Sequence, residues 1–291
     1  SNKEFVFQAY PDKKGVLTGS IKLPNDDYLM DNIWYMTVPI LDKINCLMIG
    51  SSDEEIEMFK LIVDAIDPDK QLIDFDSKKL PVVNRLFVDE IDILIIHNPE
   101  AFTESAFDEL DIYLQEGGGL IWFSGGMEID PAYNKYFSNF NFPNAMNLIE
   151  SESGLFNLNL PDIEDHFLSD ISVRKLKNEL PEFYRYIKHS YNNKHNVHLE
   201  LNNGDPLLLD FNRGNGKIFY FTSLMNLTWS DIPLRGIMVP LIYKLLILGG
   251  TDEINTAPVI IGDVKWITLG RNEVRNRWEV KSPSGEMTLV V

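Results

Sequence analysis

The sequence predicts an α/β fold in which a doubly wound, mostly parallel sheet is flanked by small β-modules. Between residues 43 and 250, short apolar runs alternate with amphipathic helical stretches, which is the pattern of parallel strands joined by crossover helices. Residues 1–42 and 251–291 are instead rich in β-forming residues and turns. The chain has 291 residues, enough for two or three domains.

Composition and charge restrict the classes of function. With 44% hydrophobic and 24% charged residues, the composition is that of a globular protein. The formal net charge of -18 repels phosphate backbones, so nucleic acid is not an expected partner. Cys46 is the single cysteine, which excludes an internal disulfide and a multi-cysteine metal site. The longest apolar stretch, residues 237–248, falls short of the roughly 20 residues that cross a bilayer.

Both ends of the chain suggest a piece of a longer protein. The first residues lack the charged and apolar regions of a signal peptide. The last five residues, 287–291, stop inside a strand-like run where a natural terminus is usually polar. We therefore expect further segments in the full-length protein.

Residues 1–42 are predicted to form a β-sandwich-like segment. Residues 15–21 and 33–38 are rich in β-formers and are separated by turn residues. Asp26, Asp27 and Asp31 have carboxylates that could bind calcium, but their spacing lacks the glycine and final glutamate of a calcium-binding loop. No metal site is predicted here.

The central region, residues 43–250, begins with an apolar run at 44–50 that predicts a buried strand. Ser52 or Asp53 is suited to cap the helix that follows. A further strand is predicted at 71–75, and the continuous apolar run at 91–97 is typical of a strand covered on both faces.

A second helix is expected after Thr103, because its hydroxyl can cap the apolar pattern that follows. The glycines at 117–119 end this helix, and residues 120–123 form the next strand. The clusters at 202–205 and 213–216 predict hairpin turns, since the second precedes a strand and not the helix of a phosphate-binding loop.

Residues 251–291 start with a polar linker and continue with β-like runs, which predicts a C-terminal β-segment. Two alternatives remain open for it. The segment is either truncated in this chain, or it packs back against the first β-segment.

Several stretches resemble class I glutamine-amidotransferase-like domains. Residues 92–98 and 117–126 resemble their central strands and glycine run, and residues 165–168 resemble their His-Pro-Leu-type segment. Residues 205–233 and the helix that ends at Gly250 are similar to the large domain of BatA-type aerotolerance-regulator proteins, which carry two membrane helices at their N-terminus. The resemblance covers roughly residues 15–250.

This resemblance implies a flavodoxin-like fold in a membrane-anchored bacterial envelope protein. It implies a soluble domain on the periplasmic side, other envelope proteins as partners, and contact with the membrane only through segments absent from this sequence. No cofactor is expected. Glutamine hydrolysis needs a cysteine on a tight strand-to-helix turn. The matching position is Ser124, and Cys46 lies in the first strand, so amidotransferase activity is not expected.

The candidate catalytic residues are therefore Ser124, as a serine nucleophile, and His166, which stands among acidic residues. The Gly-x-Ser-x-Gly motif is incomplete, because Trp122 replaces its first glycine. His195 and His198 are expected to point to opposite faces of a strand, so no zinc site is predicted. Ligands of open α/β sheets bind at the carboxyl edge of the strands. The residues expected to line that edge are Asn98, Pro99, Ser124, Gly125 and Gly126.

Two classes of function follow. In the first, the chain is a non-catalytic extramembrane domain that acts as a protein-interaction scaffold. In the second, it is a small-molecule hydrolase or ligand-binding domain that uses the carboxyl edge around Ser124. The absent thiol favours the first class. The second predicts a Ser124 hydroxyl about 3 Å from a histidine nitrogen.

Overall fold

The computed structural model describes residues 15–24, 32–40, 43–151, 156–159, 167, 180–251, 278–281 and 287–290. These residues belong to two compact units, one before Ile44 and one from Ile44 onward. His166 and the acidic residues Asp26, Asp27 and Asp31 lie outside the described residues.

The first unit contains a β-hairpin. Strand β1 (Gly15–Lys22) pairs antiparallel with β2 (Ile33–Ile40) over their full length. The hydrogen bond from Leu23 N to the Asn32 carbonyl oxygen, 2.8 Å long, extends the pairing toward the turn. The two strands lie where β-forming residues predict them. Whether they belong to a sandwich stays a prediction, since the rest of residues 1–42 lies outside the described part.

The second unit is built on one large sheet with helices on its faces. Its strands are β3 (Ile44–Gly50), β4 (Ile73–Lys79), β5 (Val82–Val83), β6 (Ile93–His97), β7 (Ala101–Phe102), β8 (Gly119–Phe123), β9 (Asn144–Glu150), β10 (Phe156–Asn159), β11 (Glu182–Phe183), β12 (Arg185–Ser190), β13 (Asn196–Leu201), β14 (Pro206–Arg213), β15 (Gly216–Phe221), β16 (Trp278–Lys281) and β17 (Met287–Val290). Its helices are α1 (Asp53–Ile66), α2 (Glu104–Gln115), α3 (Asn134–Asn139) and α4 (Met238–Gly250), with 3-10 turns at Met127–Ile129 and Ile232–Leu234.

The nine-stranded central sheet has the order β11-β10-β13-β14-β15-β8-β6-β3-β4. The strands from β4 to β15 are parallel, and the strands from β15 to β11 pair antiparallel. In chain order the parallel strands follow the flavodoxin-like arrangement 2-1-3-4-5. The predicted α/β class is confirmed. The last parallel strand, β15, forms a hairpin with β14. The glycines at 214 and 216 predict the turn between them.

Helix α1 shows how local sequence determines these elements. Ser52 is its N-cap, and Glu55 completes a capping box by accepting a hydrogen bond from the Ser52 backbone. The helix ends at Asp67, whose carboxylate accepts hydrogen bonds from the backbone nitrogens of Gln71, Leu72 and Ile73. These bonds turn the chain directly into β4.

The central sheet is covered on both faces. Alternate residues of β6 point to opposite sides, so Ile93 and Ile95 pack in the core beneath α1 and α4, while Leu94 and Ile96 pack in the core beneath α2. Among the described residues, no helix combines the length and apolar character that crossing a membrane requires.

Candidate functional site

The carboxyl ends of the parallel strands meet at one edge of the sheet, as the sequence predicts. Gly50 lies beside His97, and His97 lies beside Phe123. Phe123 in turn lies beside Phe221. The residues that follow these strand ends, Asn98 and Ser124 among them, therefore share this edge.

Ser124 is completely buried at this edge, with 0% of its surface exposed. No described histidine is hydrogen-bonded to its hydroxyl, whether His97, His189, His195 or His198. Its polar neighbours are instead the side chains of Glu128 and Tyr220. Burial raises the pKa of both, and the Ser124 hydroxyl acts in the opposite direction on each. The structure thus does not bring Ser124 together with a described histidine.

A two-stranded ribbon of β9 and β12 packs against the carboxyl end of β15. Ile187 N in β12 donates a 2.7 Å hydrogen bond to the Thr222 carbonyl oxygen just after β15. The Ser223 hydroxyl donates to the Arg185 carbonyl oxygen at 2.8 Å. These bonds hold the ribbon against the carboxyl end of β15. Thr222 and Ser223 are buried as a result.

Glu128 is a buried neighbour of Ser124 at this edge. Its carboxyl group accepts hydrogen bonds from Trp122 Nε1 and, at 3.1 Å, from Gly126 N. Burial raises the pKa of Glu128, although both of these hydrogen bonds oppose the shift. A buried carboxyl group therefore occupies the space next to the serine.

The predicted ligand-binding residues Asn98, Gly125 and Gly126 are neighbours in space. The backbone of Asn98 has φ 52, and its Nδ2 donates a 3.4 Å hydrogen bond to Ser51 Oγ. A Cβ atom at Gly125 would lie 2.1 Å from Asn98 Oδ1. The Asn98 amide, which follows β6, thus packs between Ser51 after β3 and Gly125 after β8.

His97 pairs with Glu55 beneath this edge. His97 Nδ1 lies 3.2 Å from Glu55 Oε1, and both side chains are buried. Met225 N donates a 3.2 Å hydrogen bond to His97 Nε2, which places the ring proton on Nδ1. Burial opposes ionisation of Glu55, but the hydrogen bonds from His97 and Ser51 prevail and lower its pKa to about 2. The pair connects the ends of β3, β6 and β15.

The loop after β3 is unsuited to a phosphate group. Helix N-termini attract anions through free backbone N–H groups and the helix dipole. Here the Glu55 carboxylate itself accepts hydrogen bonds from Ser51 N and Ser52 N. Asp53 and Glu54 add further negative charge in the first turn. A phosphorylated cofactor would be repelled.

The remaining candidates do not converge on a site. Cys46 is buried in β3, and burial, followed by the charge of Asp92, raises the pKa of its thiol. His195 Nε2 donates to the Asn141 carbonyl oxygen at 2.8 Å, while His198 Nε2 lies 3.2 Å from Asp210 Oδ1. In the described part of the chain, no three His, Cys, Asp or Glu side chains are grouped to hold a metal.

Sequence reasoning missed several residues of this edge. Glu55 was recognisable as the fourth residue of a Ser-x-x-Glu capping box, which places its carboxylate at a helix N-terminus. Its pairing with His97 had no signal in the sequence. The contact between His189 and Tyr220 also had no signal, because it joins strands that are distant in the chain. Glu128 bonds within its own segment, to Trp122 and Gly126, but no motif marks it.

Comparisons with known proteins show the fold. No family model matches the sequence, and no curated protein matches it. A cytoplasmic protein from Salmonella typhimurium LT2 has a similar structure, with a TM-score of 0.56 and 17% identity over 70% of this chain and 98% of that one. At this identity the similarity is evidence of the fold alone.

Two further solved structures align less well. A second cytoplasmic protein from Salmonella typhimurium gives a TM-score of 0.48 at 14% identity, covering 70% of this chain and 98% of that one. A ThuA-like protein from Parabacteroides merdae gives 0.46 at 13% identity, covering 72% of this chain and 88% of that one.

Proposed function

We propose that this chain is the non-catalytic extramembrane domain of a membrane-anchored bacterial envelope protein, and that it acts on the periplasmic side as a protein-interaction scaffold. The anchoring and the location rest on the resemblance of residues 15–250 to the BatA-type proteins. The non-catalytic role rests on one observation above all, the complete burial of Ser124 without a histidine partner.

The other polar groups at the edge support the same role. A serine hydrolase needs an exposed hydroxyl and a base within hydrogen-bond reach. Ser124 instead lies beside the buried Glu128 carboxyl group and the buried Tyr220 hydroxyl. The Asn98 side chain packs directly against Gly125. These contacts suit a rigid domain better than an enzyme, so hydrolysis at Ser124 is the weaker alternative.

An ordered loop after β15 supports a role in protein binding. Leu227 is 58% exposed and Leu234 is 74% exposed. The loop that carries them is held by the Asn226 side chain, which accepts a 2.8 Å hydrogen bond from Thr228 Oγ1, and by Asp231 Oδ1, which accepts from Glu182 N at 2.7 Å. A loop that is already ordered loses little conformational entropy when a partner binds to it. Exposed apolar side chains on such a loop can therefore act as interface anchors.

The test uses the full-length protein in its own bacterium, with a photocrosslinking amino acid at position 234. We expect the protein in the membrane fraction and a crosslink to an envelope protein. The matched control places the same amino acid at position 61, where Leu61 is also exposed on α1. Position 61 should give no such product, since α1 is a different surface from the loop.

Ser124→Ala is the second arm of this experiment. Because Ser124 is buried and no described histidine is hydrogen-bonded to it, its replacement should leave both the crosslink at position 234 and growth unchanged. Recovery of the full-length protein in the soluble fraction would contradict the anchoring. A growth defect in Ser124→Ala, with the protein still folded, would favour the hydrolase instead.

A further inference from the structure

A β-bulge directs one histidine of the β9–β12 ribbon into the protein. The pairing of β12 with β9 changes register between Lys188 and His189. Bulges of this kind re-aim a side chain. His189 is buried, although both ends of the ribbon near it, at Ser190 and Asn144, are exposed. The bulge therefore places an ionisable group between the ribbon and the central sheet.

In the neutral form of His189, both ring nitrogens make hydrogen bonds. Nδ1 lies 2.7 Å from the Ile187 carbonyl oxygen, which can only accept, so Nδ1 carries the proton. Nε2 lies 2.7 Å from the Tyr220 hydroxyl, which then donates to it. The rings of His189 and Tyr220 meet edge to face, with centroids 5.1 Å apart. Tyr220 belongs to β15, so this contact joins the ribbon to the sheet.

Among the described residues, no carboxylate is hydrogen-bonded to His189, so an imidazolium there would lack a directly bonded negative partner. From β15, the buried Tyr220 hydroxyl faces it, and burial keeps the pKa of Tyr220 well above its ordinary value. From the turn before β13, His195 acts on it with a like charge. Glu128 acts on Tyr220, and Ser124 lies in the same group of side chains. The neighbouring residue on β9, Ala145, is apolar.

We propose that His189 is a proton-operated latch, whose protonation detaches the Ser190 end of the ribbon from the central sheet and uncovers the edge around Ser124. An added proton on Nε2 would force the Tyr220 hydroxyl to change from donor to acceptor, and it would create a buried cation to which no carboxylate of the described residues is hydrogen-bonded. The other end of the ribbon keeps its hydrogen bonds from Ile187 N to Thr222 and from Ser223 to Arg185, so the detachment is local. The latch does not depend on the scaffold role.

The direction of the pH response follows from burial. Burial is the main cause that lowers the pKa of His189 from 6.5 to about 4, and the nearby His195 adds to it. A detached His189 returns to the ordinary value and binds a proton between these two pH values, whereas the attached one does not. The attached form is therefore favoured above pH 6.5 and loses this advantage as the pH falls toward 4.

Hydrogen exchange followed by mass spectrometry tests the latch on the full chain at pH 6.5 and 4.5. After correction for intrinsic rates, the amides of residues 188–190 and 125–128 should exchange on the order of 30-fold faster at pH 4.5 in the unmodified protein. His189→Gln keeps an acceptor for Tyr220 but cannot be protonated, so it should lose this pH response. His195→Gln, which changes the neighbouring buried histidine, should keep it.

Equal acceleration in the unmodified protein and in His189→Gln would overturn the proposal, as would no acceleration in the unmodified protein. An NMR titration of the histidine rings in the unmodified protein provides a second measurement if His189→Gln does not fold. The proposal expects His189 to stay neutral down to about pH 5. Ordinary titration near pH 6.5, with the ribbon still protected, would also overturn it.

Discussion

Replacing Gly119 with alanine is expected to destabilise the second unit by about 3 kcal/mol or more. A Cβ atom at this position would lie 2.1 Å from the backbone oxygen of Gly249 and 2.7 Å from its carbonyl carbon. These are backbone atoms near the end of α4, so no side-chain rotation can relieve the overlap. The whole of α4 would have to move away from β8, which lies in the middle of the nine-stranded sheet.

Urea unfolding followed by circular dichroism measures this effect. Gly204→Ala is the matched control, because its backbone has φ +82 but a Cβ atom there meets nothing within 4 Å. The control should lose only the roughly 1 kcal/mol that a left-handed alanine costs. Equal losses at the two positions would contradict a close contact between β8 and α4 at Gly119.

Glu55→Ala is expected to cost about 3–5 kcal/mol, because it removes one partner of a buried pair. The substitution deprives His97 Nδ1 of its partner 3.2 Å away. It also removes the acceptor of the Ser51 hydroxyl, at 2.9 Å, and the capping box of α1. Glu57→Ala is the control on the same helix, since Glu57 is exposed and its pair with Lys60 is a surface contact. Its effect should stay below about 1 kcal/mol.

The same pair predicts an acid response with a defined sign. The pKa of Glu55 is lowered from 4.5 to about 2 by contacts that favour the charged form over the cost of burial. Its stabilisation is therefore fully present above pH 4.5 and is lost as the pH falls toward 2, by up to about 3 kcal/mol. The urea midpoint of the unmodified protein should fall as the pH is lowered through this range. The slope of the midpoint against pH should be smaller in Glu55→Ala. An unchanged slope would contradict the pairing with His97.

Much of the α/β unit could be predicted because its elements depend on local patterns. The apolar runs at 44–50 and 91–97 correspond to β3 and β6, and the helix cap predicted at Ser52 or Asp53 is Ser52. The shared position of Asn98 and Gly125 also follows from simple geometry, because neighbouring parallel strands end at the same edge.

The closure of that edge could not be predicted, because it depends on contacts between distant parts of the chain. The ribbon is held against the end of β15 by the bond between Ile187 N and the Thr222 carbonyl oxygen, two residues that are distant in the chain. The bulge at His189 and its contact with Tyr220 depend on the register of β12 against β9, which no local pattern determines. The burial of Ser124 was therefore invisible in its own sequence neighbourhood.

Incubation with a fluorophosphonate reagent, followed by intact-protein mass spectrometry, tests most directly whether the carboxyl edge carries a reactive serine. The buried hydroxyl of Ser124, without a described histidine beside it, predicts no adduct at pH 7, just as in Ser124→Ala. A single stoichiometric adduct in the unmodified protein that is absent from Ser124→Ala would contradict the non-catalytic role and identify a hydrolase.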